Sequence, residues 1–135
     1  MKALITGGSG FIGGHLTDRL VTLGFDVIVI DNESADAHKK FHKNKKAEYH
    51  KLDINDYEKI EPLFSGVDFV FHLAAESRIG PCIENPMMAC KTNVIGTCNV
   101  LQASRNNNIK RLVYSSTSAC YGLTNVIPML SLIHI

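Results

Sequence analysis

The fold is decided near the amino terminus by the run TGGSGFIG, residues 6–13. A short apolar run, ALI, comes before it, and a helical pattern of apolar and polar residues follows it. Strand, glycine turn and helix in this order predict a phosphate-binding loop. We expect Gly7 to permit a tight turn, Gly10 to let the backbone approach a pyrophosphate, and Gly13 to let helix and strand pack closely. The phosphates would lie on free N–H groups at the positive end of the helix. These groups belong to its first residues, Phe11 and Ile12.

The next apolar run indicates which dinucleotide the loop would bind. Residues 27–30, VIVI, are all apolar, as expected of a strand that is buried on both faces of a parallel sheet. Asp31 ends this strand about 20 residues after the glycine turn, where an acidic residue accepts hydrogen bonds from the adenosine ribose. Asn32 lies beside it. A carboxylate here would repel a 2′-phosphate, so the pattern favours NAD over NADP. The alternative is that Asp31 is only a turn residue.

Composition sets limits on the class of protein. The chain has 135 residues, of which 45% are apolar, and this suits one domain. Its net charge of +1 gives no reason to expect a nucleic-acid or acidic-membrane partner. No apolar run approaches membrane-spanning length, and the first strand starts directly after Met1, so we expect neither a signal peptide nor a membrane partner. Four cysteines without metal-ligand spacing predict no metal site, and suit small buried groups or free thiols in a reducing cytoplasm.

Strand-like and helical runs alternate along the chain. We predict strands over residues 2–6, 26–31, 48–52, 68–73 and 111–115, and helices over 11–23, 57–64 and 86–106. Pro86 suits the first turn of the last helix, with Asn85 as its cap. This alternation predicts a doubly wound parallel α/β sheet, which binds ligands beyond the carboxyl ends of its strands where the strand order reverses.

Residues 38–51 form the only charge-biased segment, with six lysines. Such a segment can bind anions or nucleic acid. No aromatic stacking platform accompanies it, so we interpret it as a solvated connection between the second and third strands.

Four further segments occur in a recognisable order: LDI at 52–54, HLAAES at 72–77, KTNVIGT at 91–97 and YSSTSACYG at 114–122. Together with the glycine turn they resemble the extended short-chain dehydrogenase/reductases, in the nucleotide-sugar epimerase/dehydratase branch. The resemblance covers about residues 1–128 and implies an NAD-binding Rossmann domain. It implies that Asp53 and Ile54 contact the adenine and that Asn93 bridges strands and positions the catalytic region. It places further cofactor contacts at Leu73, Ala74, Ala75 and Ser115, and aligns Thr117 with a catalytic Ser/Thr.

Within this branch the match is closest to UDP-glucose 4-epimerase-like proteins. Dehydratases have Asp-Glu after the catalytic Thr, whereas Ser118-Ala119 follow it here. The implied reaction is reversible hydride transfer: NAD oxidises C4 of a UDP-sugar, the keto intermediate rotates, and the hydride returns to the opposite face. Thr117 would hydrogen-bond the C4 oxygen, and a tyrosine activated by a lysine would take the proton. The resemblance also implies a homodimer. A related reductase or decarboxylase, and a non-catalytic NAD-sensing module, stay open as alternatives.

The catalytic tyrosine and lysine of the family are a Y-x-x-x-K pair, which this sequence does not contain. The substrate-binding lobe that follows the pair in the family is also absent, so we expect the chain to be an amino-terminal portion without activity of its own. Residues 129–135 are apolar and leave the family pattern. The last six, LSLIHI, resemble a translated sequencing adaptor, and we expect them not to be natural protein. The alternative is a short natural apolar tail.

Overall fold

The computed structural model describes residues 1–35, 41 and 43–117. Over these residues the chain forms a parallel sheet of five strands in the order β3-β2-β1-β4-β5. The strands are β1 (Lys2–Thr6), β2 (Asp26–Asp31), β3 (Glu48–Lys51), β4 (Phe69–His72) and β5 (Arg111–Tyr114). The predicted doubly wound sheet is confirmed. Strand β1 pairs with both β2 and β4, so the strand order reverses beside its carboxyl end.

The central strands are apolar on both faces because helices cover both faces. Leu4 and Ile28 point to one side, where they pack with Phe64 and Val100. Ala3 and Ile5 point to the other side, where they pack with Leu20 of helix α1 (Phe11–Thr22). Successive side chains of a strand alternate between faces, so a continuous apolar run serves two cores.

Three of the strands are shorter than predicted. Strand β3 ends at Lys51 rather than at residue 52, β4 spans Phe69–His72 rather than 68–73, and β5 ends at Tyr114 rather than at 115. In each case the lost residues lie at strand ends and still make backbone hydrogen bonds to the neighbouring strand or its end, as Leu52 N does to Asp31 O at 3.2 Å. The corrections therefore change boundaries and not the topology.

The predicted helix at 57–64 is divided. Helix α2 (Tyr57–Ile60) is followed by a 3₁₀ turn, Glu61–Phe64. Pro62 explains the change, because it has no N–H for an α-helical hydrogen bond and its ring crowds the preceding turn.

The predicted helix at 86–106 is also not uniform. It comprises α4 (Pro86–Cys90), a π-helical segment (Lys91–Gly96) and α5 (Thr97–Asn106). The predicted cap is confirmed, since the Asn85 side chain accepts a hydrogen bond from Met88 N at 3.1 Å. A short helix before it, α3 (Ile79–Glu84), was not predicted.

Two expectations from composition can be compared with the described residues. Cys90 and Cys98 are exposed and Cys82 is half-buried, so these three residues are free thiols and not small buried groups; they lie on α4, α5 and α3. Within the described ranges, none of the helices has the length and apolarity needed to span a bilayer.

Candidate cofactor-binding site

The glycine turn after β1 has the tight geometry that the sequence predicts. Gly7 has φ +73°, a conformation that favours glycine, and its N–H donates to Ile30 O at 2.8 Å. A Cβ at Gly7 would lie 2.7 Å from Ala74 N. The turn is therefore packed directly against the chain that leaves β4.

Two further glycines of the turn also lie where side chains would collide. A Cβ at Gly13 would lie 2.2 Å from Gly7 O, so this glycine lets helix α1 pack closely on the turn after β1. At Gly8, a Cβ would lie 2.5 Å from Val29 Cγ1, a constraint that the sequence analysis missed. Gly10 is less crowded, with Gly7 O at 3.3 Å, and its approach to a pyrophosphate stays a prediction.

The amino end of helix α1 is prepared for an anion. Gly10 is its N-cap residue and offers no side chain to cap it, and no acidic residue lies in its first turn. Phe11 and Ile12, which begin the helix, are 73% and 64% exposed. The N–H groups of a first helical turn lack partners within the helix, so they and the helix dipole attract negative charge here.

Asp31 joins the end of β2 to the glycine turn. Its Oδ2 accepts a hydrogen bond from Ser9 N at 2.9 Å, and its Oδ1 accepts one from Glu33 N at 2.7 Å. The bond from Glu33 N is the turn expected if Asp31 were only a turn residue. The bond from Ser9 N, however, also ties the carboxylate to the glycine turn. A carboxylate has about four acceptor positions, so about two remain for ribose hydroxyls.

Asn32 and Asp53 connect the ends of β2 and β3. Asn32 Nδ2 donates to Asp53 Oδ2 at 3.3 Å, while Asn55 N donates to Asp53 Oδ1 at 2.9 Å. Burial alone would raise the pKa of Asp53, but the hydrogen bonds from Asn55 and Asn32 outweigh it and lower the pKa below its ordinary value. Asp53 is therefore a carboxylate at neutral pH.

Ile54, the predicted adenine contact, is 4% exposed and lies against the π-helical segment. A Cβ at Gly96 would lie 2.5 Å from Ile54 Cδ1. Gly96 therefore makes room for Ile54, which sequence reasoning missed; its signal was the glycine inside KTNVIGT.

A buried histidine fixes the end of β4. His72 is 1% exposed, with Nδ1 2.6 Å from Thr6 Oγ1 and Nε2 2.9 Å from Thr97 Oγ1. Ala74 N donates to the same Thr6 hydroxyl at 3.3 Å. Burial lowers the pKa of His72 to about 4, so the ring is neutral at pH 7.

Asn93 holds the chain beyond β4 from the other side. Its Oδ1 accepts from Glu76 N at 2.8 Å, and its Nδ2 donates to Glu76 O at 2.9 Å. Asn93 therefore joins the π-helical segment to the backbone after β4 at Glu76, whereas the prediction was a bridge between strands. Direct contact of Asn93 with a cofactor stays a prediction.

These elements surround one crevice of about 310 Å³ at the carboxyl ends of the strands, within the size range of small-molecule sites. Its lining includes the predicted residues Gly7, Gly10, Asp31, Asn32, Asp53, Ile54, Leu73, Ala74 and Ala75. It also includes residues that we did not predict: Ser34, Ala35, Phe41, Glu76, Met88 and Thr92.

The remaining predicted residues lie outside this lining. Phe11, Ile12 and Gly13 form the first turn of α1, and Asn93 acts on Glu76. Ser115 is exposed and donates its N–H to His72 O at 3.1 Å, while Thr117 is exposed at the end of the described chain. The predictions for residues 118–135 lie outside the described residues.

Comparisons with known proteins agree with this geometry. Residues 4–131 match the sequence model of the family described as GDP-mannose 4,6 dehydratase. A putative UDP-glucose 4-epimerase of Methanocaldococcus jannaschii is 38% identical over 128 residues, which cover 93% of this chain and 41% of that protein.

Solved structures show the same likeness. UDP-glucose 4-epimerase of Thermotoga maritima, solved with UDP-glucose, has a TM-score of 0.86 at 35% identity over 96% of this chain and 42% of its own. UDP-glucose 4-epimerase of Thermus thermophilus, solved with NAD, has a TM-score of 0.78 at 32% identity over 87% and 38%. The chain thus spans about two fifths of the length of these relatives. The resemblance noted from the motifs is confirmed, and the chain, with its Rossmann-like fold, belongs to the GDP-mannose 4,6-dehydratase family.

Proposed function

We propose that this chain is the NAD-binding portion of a nucleotide-sugar epimerase of the UDP-glucose 4-epimerase kind. The observation that carries the proposal is the meeting of three features at one crevice. The glycine turn, the Asp31 carboxylate and the Asp53–Ile54 pair all line it, although they lie far apart in sequence. The epimerase relatives, one of them solved with NAD, support the same assignment.

The residues present fit this cofactor. The turn is kept bare of side chains at Gly7 and Gly13, where any Cβ would collide with backbone. Ser9 Oγ is buried in the same turn and makes no hydrogen bond to any other described residue. A pyrophosphate supplies acceptor oxygens to such a hydroxyl and to the N–H groups that begin α1.

Each part of the crevice has a distinct task in this proposal. The α1 amino end holds the phosphates, Asp31 accepts the hydroxyls of the adenosine ribose, and Asp53 with Ile54 contacts the adenine. Ala74 and Ala75 are small enough to admit the nicotinamide half. When bound, NAD supplies a reversible hydride acceptor, and the protein supplies orientation and electrostatics.

The substrate end of the reaction lies at Thr117, whose hydroxyl we propose hydrogen-bonds the C4 oxygen of a UDP-sugar. The proton-accepting tyrosine and its lysine are not in this sequence. We therefore propose that the 135-residue chain binds the cofactor but does not turn over substrate, and that epimerisation needs a chain that includes the Y-x-x-x-K pair and a substrate lobe.

Two properties of the whole protein complete the proposal. We propose a homodimer that forms through the helical segment 86–106, which exposes Val94, Ile95 and Leu101 at 54%, 52% and 49%. We also propose a cytoplasmic location, which the free thiols of Cys82, Cys90 and Cys98 support.

The cofactor assignment is tested by calorimetric titration of the chain with NAD⁺. Asp31→Ala should weaken binding roughly tenfold to a hundredfold, because hydrogen bonds to a charged acceptor are worth about 1.5–3 kcal/mol. Asp26→Ala is the matched control: it removes an exposed carboxylate from the other end of β2 and should leave affinity unchanged. Equal binding by the chain and by Asp31→Ala would refute the ribose assignment.

The activity is tested on a longer chain that carries the tyrosine and lysine. Conversion of UDP-galactose to UDP-glucose is the expected result. Release of CO₂ from UDP-glucuronate would instead support the decarboxylase alternative, and NAD⁺ binding without turnover would support a sensing module.

A further inference from the structure

Glu33 lies at the ribose end of the crevice but does not line it. It follows Asp31 by two residues, and its N–H donates to Asp31 Oδ1 at 2.7 Å. Its neighbours Asn32 and Ser34 line the crevice, whereas Glu33 does not. Glu33 has φ +56°, a strained conformation for this residue type, and this turn directs its side chain elsewhere.

The Glu33 carboxylate forms ion pairs with two lysines of the segment 38–51, which we interpreted as a solvated connection. Lys43 Nζ lies 2.6 Å from Oε1, and Lys51 Nζ lies 3.2 Å from Oε2. The Glu33 side chain is only 15% exposed. Hydrogen bonds from Lys43 and then Lys51 lower the pKa of Glu33 below its ordinary value, so the carboxylate stays charged.

Both lysines contact Glu33, which lies two residues beyond the carboxylate that would hold the ribose. Lys51 lies opposite Asp31 in the register of β2 and β3. Lys43 also makes a cation–π contact, since its Nζ lies 5.5 Å from the centre of the Tyr49 ring. Without Glu33, two long and flexible cations near the ribose would lose the carboxylate that pairs with them, and lysine binds phosphate readily.

We infer that Glu33 is a specificity-determining residue, which rejects 2′-phosphorylated adenosine by holding Lys43 and Lys51 in ion pairs away from the ribose. Asp31 would repel a 2′-phosphate directly. Glu33 acts indirectly, because its ion pairs keep Lys43 and Lys51 from binding that phosphate. The inference rests on the proposed function, because it assumes that adenosine binds at Asp31. It assigns a role to two lysines that sequence composition left without one.

The test uses 5′-AMP and adenosine 2′,5′-bisphosphate, which report on the adenosine end alone, together with NAD⁺. In the 135-residue chain, E33Q should improve affinity for the bisphosphate relative to 5′-AMP by roughly three- to tenfold, since a new surface ion pair between a lysine and the 2′-phosphate is worth about 1 kcal/mol. The NAD⁺ affinity should change less than about twofold. The gain should shrink at high salt and disappear in E33Q/K43M/K51M.

Asp68→Asn is the charge-matched control. Asp68 also pairs with a lysine, Lys110, but it lies just before β4, at the amino ends of the strands and away from the crevice at their carboxyl ends. It should leave the ratio of the two affinities unchanged. As a second variant that keeps Glu33, K43M/K51M should leave NAD⁺ binding and the low bisphosphate affinity in place.

The outcomes separate the two claims. Failure of the unaltered chain to bind NAD⁺ and 5′-AMP would overturn the proposed function and this inference together. Normal NAD⁺ binding with the same bisphosphate-to-AMP ratio in E33Q as in the unaltered chain would overturn this inference alone.

Discussion

The crevice has two walls that are built in different ways. One, which we call the glycine wall, comprises the glycine turn at residues 7–10, the start of α1 at 11–13 that packs against it, and Asp31 and Asn32 at the end of β2. The other, the tethered wall, comprises residues 73–76 after β4. The glycine wall depends on backbone that tolerates no side chains, with Gly13 packed on Gly7. The tethered wall depends on side chains that hold backbone, namely Thr6, His72 and Asn93.

This difference predicts how substitutions in each wall should lower stability. A glycine wall fails by steric collision, which the surrounding backbone cannot relieve because it is close-packed. A tethered wall fails by loss of hydrogen bonds, each of which is worth about 0.5–1.5 kcal/mol net. Substitutions in the first should therefore cost more than substitutions in the second.

The largest effect is expected for Gly13→Ala. Its Cβ would lie 2.2 Å from Gly7 O and 2.6 Å from Gly8 Cα, so the turn must move. We expect at least about 3 kcal/mol lower stability in urea unfolding, and loss of measurable NAD⁺ binding. Gly80→Ala is the control, because a Cβ at Gly80 meets nothing within 4 Å. Equal stability of the two variants would contradict the close packing of the glycine wall.

The second prediction concerns pH and the tethered wall. The folded-state pKa of His72, about 4, lies below its unfolded value of 6.5, so the unfolded chain binds the proton first as pH falls. Stability from the neutral ring should be complete above about pH 6.5 and should fall by up to about 3 kcal/mol between pH 6.5 and 4. Urea unfolding across this range measures it.

His72→Gln should flatten that part of the pH profile, although it lowers stability at pH 7. His50→Gln is the control, since His50 lies at the surface beside Glu48 at 2.8 Å and its loss should leave the fall in place. An unchanged profile in His72→Gln would show that another group causes the pH dependence.

The smallest of these effects is expected for Asn93→Ala. It removes two hydrogen bonds to the Glu76 backbone and should cost about 1–2 kcal/mol. NAD⁺ binding should weaken less than in Gly13→Ala, because the glycine wall is untouched. Asn106→Ala, which removes a surface hydrogen bond to Tyr57 Oη, is the control for helix stability. A larger loss of NAD⁺ affinity for Asn93→Ala than for Gly13→Ala would reverse the ranking of the walls.

The sequence predicted the glycine wall well because its requirements are local. A strand followed by glycines leaves a pattern within eight residues, and Asp31 follows a run whose burial dictates apolar residues. The doubly wound parallel sheet followed from the alternation of elements, whereas the order of its strands came only from the structure. The likeness to the family then supplied Asp53, Ile54 and the chain after β4.

The hydrogen bonds that hold the tethered wall, and the ion pairs of Glu33, could not be predicted because the partners in each are separated in sequence. The glycine at 96 is a local signal of close packing, but nothing local shows that Ile54 is the side chain it admits, or that Glu33 pairs with Lys43 and Lys51. The π-helical segment has no residue signature, and its effect, the bridge from Asn93 to Glu76, appears only in three dimensions. Pro62, by contrast, marked its 3₁₀ turn in advance, and we overlooked it.

The most direct test of the central claim is a crystal structure of the chain grown with NAD⁺. We predict the diphosphate on the N–H groups at the start of α1 and a ribose hydroxyl within hydrogen-bonding distance of the Asp31 carboxylate. A cofactor bound elsewhere, or a ribose turned away from Asp31, would contradict the account.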